Sequence, residues 1–207
     1  VIDRIIQKDD APKSELSADD NASLTGVFTA EMPTMDKAQF HVESATMGEN
    51  GTPILITQSE YMRRMKDASR YQQGMSFYGE MPDMYNVVLN ADHRLIKEVL
   101  ADMKSQLADK LQPIESELKG LHARHTAIEQ SQKDKKPEEL TDADKEDMKK
   151  CNDDIAAQEE ARKQVWAEYG KQNPVVPQLI DLALLQNGLL RGEALSKFIN
   201  RSVDLIK

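Results

Sequence analysis

His122 and His125 lie three residues apart, a spacing at which a helix presents two imidazoles on one face and could offer two metal ligands. No cysteine or carboxylate pair stands beside them at fixed spacing, so surface or seam histidines are the better reading. Cys151 would add a thiolate if folding brought it to His125, but two ligands do not complete a site. Cys151 therefore reads as a small apolar seam residue. The run "DADKEDMKKCND", residues 142 to 153, alternates carboxylates as a calcium loop does. It lacks the loop's glycine and keeps helical spacing, which favours a solvated helix face. Asp92 and His93 could act as acid and base, yet Asp92 fits better as a helix N-cap. A phosphate-cradling glycine loop, a nucleophile elbow, zinc-finger spacing and an HExxH helix are all missing. These residues therefore yield no catalytic, cofactor-binding or metal-binding assignment.

The elements that would position such groups are mostly helical. Residues 1 to 8 read as the end of a helix with Ile2, Ile5 and Ile6 on one face. A second runs from about Ala18 to Glu31, capped by Ser17 or an Asp of "SADD", with Leu24, Val27 and Phe28 as its buried stripe and Pro33 as its stop. "QFHVESATM" alternates, "ENGT" turns and "PILIT" is a short apolar run, predicting two strands of a hairpin or meander. "NVVL" at 86 to 89 gives a third strand. Between them, Thr57 or Ser59 can cap a helix whose Tyr61, Met62, Met65 and Ala68 recur at helical spacing.

From Asp92 onward the pattern is wholly helical. Leu100, Met103, Leu107, Leu111, Ile114, Leu118, Leu121, His125 and Ile128 form a coiled-coil seam. After a polar break and the N-cap Thr141, Met148, Cys151, Ile155, Gln158, Arg162, Val165 and Tyr169 repeat the steps. Folding back near Pro137 sets Ile128 against Met148, His125 against Cys151, Leu121 against Ile155 and Leu107 against Tyr169, an antiparallel helical hairpin. Pro113 should kink or restart the first arm. "NPVVPQ" then leads into "LIDLALLQNG", a helix apolar nearly all round and closed by Gly188 at C′. A last helix follows, with Leu195, Phe198, Ile199, Val203 and Ile206 as its stripe. A helix apolar on every side needs neighbours on every side, and a second subunit would supply them.

The composition, 39% hydrophobic and 30% charged, is that of a globular chain with a charged, helical surface. A net charge of −9 without a Lys/Arg patch argues against nucleic acid. One cysteine excludes an internal disulfide framework and fits a reducing, cytoplasmic setting. No run approaches the roughly 18 apolar residues of a membrane span, and the opening "VIDRIIQKDD" lacks a signal peptide's basic and apolar regions. The start at Val1, inside what reads as a helix, suggests a piece of something longer.

One stretch remains, "YQQGMSFYGEMPDMY" at 71 to 85. It concentrates four of the ten aromatics and three of the ten methionines among Gly74, Gly79 and Pro82. Met62, Met65, Met75, Met81 and Met84 could fill irregular core gaps. They could equally stay exposed and repack against varied apolar partners. Such density in a segment too short to build its own core favours exposure.

"SEYMRRMKDASRYQQGMSFYGEMPDMYNVVLNADHRLI", and "LNADHRLIKEVL" above all, resembles the heat-shock protein 90 chaperones in their bacterial form. In that family a methionine-bearing amphipathic helix leads into a strand ending in an Asn-x-Asp-His turn. "LIDLALLQNGLLRGEALSKFINRSVDLI" is similar to the family's final two helices. The resemblance, loose over 1 to 104 and good over 173 to 207, points to the family's C-terminal domain. Residues 105 to 172 look like an insertion, longer than the connection most members carry, whose role the resemblance does not supply. The acidic tail that eukaryotic cytosolic members use for co-chaperones is absent.

The resemblance implies an α+β fold with a small sheet of about three strands, and a homodimer whose last helices form a four-helix bundle through Leu179, Leu182, Leu185, Leu195, Phe198, Ile199, Val203 and Ile206. It also implies binding of unfolded or partly folded client proteins through Tyr61, Met62, Met65, Met75, Phe77, Tyr78, Met81 and Met84. ATP and Mg would belong to an N-terminal domain of the full-length parent, with no cofactor in this chain. The competing reading is a coiled-coil structural adaptor that binds partners through the 100 to 169 hairpin. An enzyme stands third.

Overall fold

The computed structural model describes residues 16–58, 63–64, 67–68, 82–133 and 141–206, the side chains of 205 and 206 excepted. Among these residues the fold is α+β, with five helices and a three-stranded mixed sheet. The chain divides into two compact units, Val1–Asp102 with Tyr169–Lys207, and Met103–Glu168.

Helix α1, Ala18–Glu31, starts where expected because Ser17 Oγ accepts from the Asp20 amide at 3.2 Å. Asp19 and Asp20 in its first turn complement the helix dipole. It ends at Met32, which turns extended. Pro33 forces this, since the residue before a proline is pushed out of the helical region. Leu24, Val27 and Phe28 are fully buried. At about 1.5–3 kcal/mol per buried side chain, against about 1 kcal/mol for the cap, packing decides where α1 sits.

Strands β1 (Ala38–Ala45), β2 (Ile54–Gln58) and β3 (Asp83–Asn90) lie in the order β1-β3-β2. β1 runs parallel to β3, with Val42 beside Val87, and β2 runs antiparallel to it, with Ile56 beside Val87. The expected pairing of the first two strands as a hairpin is therefore corrected, because β3 lies between them. Alternation identifies strands without naming their neighbours. β3 carries Val87 and Leu89, both buried, and takes the centre, where both of its edges are paired. The connection from β1 to β2 is anchored on β3 as well. Asn90, 0% exposed, accepts from the Met47 and Asp92 amides at 3.1 Å each and donates to the Gly48 carbonyl at 2.9 Å. α1 is linked to the sheet by Ser44 Oγ, which donates to Asn21 Oδ1 at 2.6 Å.

Three further helices belong wholly or partly to this larger unit: α2 (Arg94–Gln132), α3 (Asp142–Gln172) and α4 (Val175–Gln186). The last helix, α5, spans Gly192–Ile206. α4 packs on β2 and α1.

In the smaller unit, α2 and α3 form the expected antiparallel pair. Lys110 meets Glu168 at 3.4 Å, Gln158 donates to Glu117 at 2.8 Å, Arg124 pairs with Asp147, and Gln132 donates to the Asp144 carbonyl at 3.2 Å. Thr141 caps α3, its Oγ1 accepting from the Asp144 amide at 3.1 Å. The Cys151 thiol donates to the Leu121 carbonyl at 3.5 Å, the carbonyl that helical geometry aims at the amide of its expected partner, His125. α2 passes through Pro113 without restarting. Pro113 and Asp109, whose carbonyl loses its helical donor there, are both exposed, so solvent can replace the bond. The seam buries Met103, Leu107, Leu118 and Cys151, together with Trp166, which the heptad reading had passed over. Arg162 lies 4.9 Å from the Trp166 ring centroid, a cation–π contact.

Candidate functional site

α4 has two faces of different character. Val176, Leu179, Ile180, Ala183 and Leu184, at helical spacing, are buried in the chain's own core. Leu182 and Leu185 point away from it and stay 39% and 38% exposed. The helix stops through paired bonds: the Gly188 amide donates to the Leu185 carbonyl at 3.0 Å and the Leu189 amide to that of Leu184 at 2.9 Å. Gly188 holds φ +68°, the left-handed conformation that glycine supplies at C′. Four residues later Gly192, at φ +59°, opens into α5.

α5 is tied to α4 by polar contacts. Gln178 donates to Ser202 Oγ at 2.6 Å, and Arg201 pairs with Asp181. Leu195 and Phe198 are half-buried, whereas Ile199 and Val203, one turn apart, are 51% and 48% exposed. Leu182, Leu185, Ile199 and Val203 account for all but one of the large apolar side chains exposed among the described residues, the other being Met84 at 41%. Scattered apolar exposure is ordinary, but two such pairs on two helices in contact are more than scatter. Of the eight residues expected at a dimer contact, Leu179 is 5% exposed and serves the chain's own core. The side chain of Ile206 lies outside the described residues.

Of the residues expected to bind clients, Met84 is described, exposed on β3. Tyr61, Met62, Met65, Met75, Phe77, Tyr78 and Met81 lie outside the described residues. Residues 63–64 and 67–68 have helical backbone, with Arg63, Arg64 and Asp67 exposed.

A hydrogen-bond network stands where α2, α3 and α4 meet within the larger unit. The Tyr169 hydroxyl donates to Asp102 Oδ2 at 2.7 Å, with the Val99 carbonyl at 3.3 Å. Asn173 Nδ2 donates to the Tyr169 oxygen at 2.8 Å and to Asp102 Oδ2 at 3.4 Å. Asn173 Oδ1 accepts from the amides of Val175 at 2.9 Å and Val176 at 3.3 Å. Burial, and then the hydrogen bond to Asp102, push the Tyr169 phenol well above its ordinary pKa and keep it protonated. A cleft of about 170 Å³ opens beside the network, lined by Leu95, Glu98, Val99, Asp102, Asn173 and Val175.

Two of the groups first considered for chemistry, Asp92 and His93, make local contacts at the start of α2. Asp92 does not cap α2. Its carboxylate accepts from the Gly48 amide at 2.8 Å, and His93 Nδ1 takes the cap position, accepting from the Leu95 amide at 3.2 Å. His125 Nδ1 lies 3.6 Å from Glu129, and His122 is exposed. Among the described residues no cluster of three His, Cys, Asp or Glu could hold a metal, and no helix is long and apolar enough to cross a membrane. Sequence reasoning passed over Asn90 and Asn173. Asn90 at the end of a buried strand, and Asn173 in an Asn-Pro step before a helix, were the signals available.

The chain is 46% identical over 209 residues to the chaperone protein HtpG of Bacteroides fragilis, a match covering 100% of this chain and 30% of that protein. It is 43% identical over 206 residues to the chaperone protein HtpG of Bacteroides thetaiotaomicron, with the same coverage. To the chaperone protein HtpG of Porphyromonas gingivalis it is 41% identical over 205 residues, 99% of this chain and 30% of that protein. No family model matches the chain, and no solved structure matches it significantly. The chain belongs to the HtpG chaperones, the bacterial heat-shock protein 90 type that its sequence resembles. It spans about 30% of the length of the curated relatives it matches. The matches cover the α2–α3 segment as well, so these relatives carry corresponding sequence there.

Proposed function

We propose that this chain is the C-terminal homodimerisation and client-binding domain of an ATP-driven HtpG chaperone that assists protein folding. The observation that carries the reading is the exposed apolar patch of Leu182, Leu185, Ile199 and Val203 on α4 and α5. A twofold contact uses the same patch on both copies, so two α4–α5 pairs would close over one another as a four-helix bundle. The half-buried Leu195 and Phe198 would extend it. Ile199→Asp tests this in sedimentation. Two lost apolar contacts per dimer and two buried carboxylates should weaken association at least about 1,000-fold, while an exposed position leaves the folded monomer intact.

Client binding would fall to the methionine and aromatic segment from Tyr61 to Met84. Exposed Met84 supports it, because an unbranched thioether repacks against many shapes. Substituting Met62 and Met65 with Ser should lower the affinity for an unfolded substrate without altering dimerisation. ATP and Mg would be bound by another part of the parent chaperone, and no residue of this chain is assigned to them. The hairpin would be an inserted element. The adaptor reading, with the hairpin as binding surface, has less support: among the described residues of the smaller unit no large apolar side chain is exposed. Replacing residues 106 to 168 with a short linker, which keeps Tyr169 and Asn173, separates the two, since loss of all partner binding would favour the adaptor.

A further inference from the structure

α4 lacks an ordinary N-cap. Pro174 occupies the position and offers no side-chain acceptor, so the first turn depends on Asn173, one residue further out. An asparagine side chain has two donor hydrogens and one oxygen with two lone pairs. All four capacities of Asn173 are used: the oxygen takes the Val175 and Val176 amides, and the nitrogen reaches Tyr169 and Asp102. The same amide thus starts α4 and binds that start to the end of α3 and the first third of α2. Asn173, Asp102 and Val175 line an open cleft, so solid packing does not fix the amide from that side. Tyr169 and Asp102 fix it through hydrogen bonds. α4 in turn carries Leu182 and Leu185 of the exposed patch.

We propose that Asn173, oriented by Tyr169 and Asp102, is a positioning residue for the self-association face, setting where α4 begins and so how α4 and α5 present their apolar side chains to a second copy. This rests on the homodimer reading above. Without the network α4 would have an unanchored first turn, and association would bear the cost of ordering it.

The test measures the dimer dissociation constant of the whole chain by sedimentation, with circular dichroism at matching concentrations. Asn173→Ser keeps an acceptor for the α4 amides but loses the Nδ2 group that reaches Tyr169 and Asp102, and Tyr169→Phe removes only the hydroxyl. Each should raise the dissociation constant about tenfold, and the double variant should do little more, because both cut one network. Gly51→Ala is the control for general destabilisation. Its added Cβ would come within 2.8 Å of Asn90 Nδ2, outside the network, and it should lower thermal stability while leaving the dissociation constant unchanged. Wild-type constants in both network variants, or an equal weakening in Gly51→Ala, would overturn the inference while Ile199→Asp still gives monomers. A monomeric wild type, or an Ile199→Asp variant that dimerises normally, would instead overturn the homodimer reading and this inference with it.

Discussion

Asn90→Ala removes the side chain that holds the 46–53 loop to the end of β3. Three hydrogen bonds are lost, from Met47 and Asp92 to the amide oxygen and from the amide nitrogen to Gly48. At roughly 1 kcal/mol each the variant should be about 3 kcal/mol less stable, a large share of the 5–15 kcal/mol that holds a typical domain together. With a urea slope of about 2 kcal/mol/M the unfolding midpoint should fall by about 1.5 M. The comparison needs one fixed protein concentration, since self-association would make stability concentration-dependent. Asn90→Asp refines it: an aspartate can still accept from both amides but turns a carboxylate toward the Gly48 carbonyl in a site with no exposure. Desolvation should raise that carboxyl's folded-state pKa, so stability would be lost as pH rises through it and regained on acidification. A midpoint shift under about 0.5 M for Asn90→Ala, corresponding to about 1 kcal/mol, would refute the reasoning and leave the loop held by other contacts.

Two predictions concern pH. The folded-state pKa of Tyr169 is raised, so its contribution to stability is complete below the ordinary tyrosine value of about 10 and is lost as pH climbs above it. Urea midpoints of the wild type should therefore drop more steeply than those of Tyr169→Phe above pH 10, and parallel profiles would contradict this. Burial raises the Glu31 carboxyl pKa, partly offset by Lys171, and its Oε1 is buried with no hydrogen-bond partner among the described residues, close against Gly170. Glu31→Gln should be more stable than the wild type at pH 7, the gap closing as pH falls toward 4, read from thermal unfolding at each pH.

Much of the larger unit was legible locally. Ser17, Leu24, Val27, Phe28 and Pro33 define α1 because cap, stripe and stop all lie within a few residues. Gly188 closes α4 for the same reason. What local pattern does not encode is partnership. The alternation in β1 and β2 says nothing of β3 lying between them. The hairpin's heptads carried its antiparallel sense, because apolar residues at steps of three and four recur on both arms. Trp166 stood one residue off the expected stripe and was missed. The cap expected at Asp92 fell to His93 because the loop carrying Gly48, distant in sequence, supplied Asp92 with another donor. The apolar surplus of the last two helices was readable as a sum, while its division between the chain's own core at Leu179 and the open face at Leu182 and Leu185 required the packed structure.

The central claim is that a second copy of this chain covers Leu182, Leu185, Ile199 and Val203. Sedimentation equilibrium of the purified chain at micromolar concentration tests it most directly. The account predicts twice the 23.4 kDa chain mass for the wild type and a single chain mass for folded Ile199→Asp. A wild type that sediments as a monomer up to high micromolar concentration, with its helices intact by circular dichroism, would contradict it.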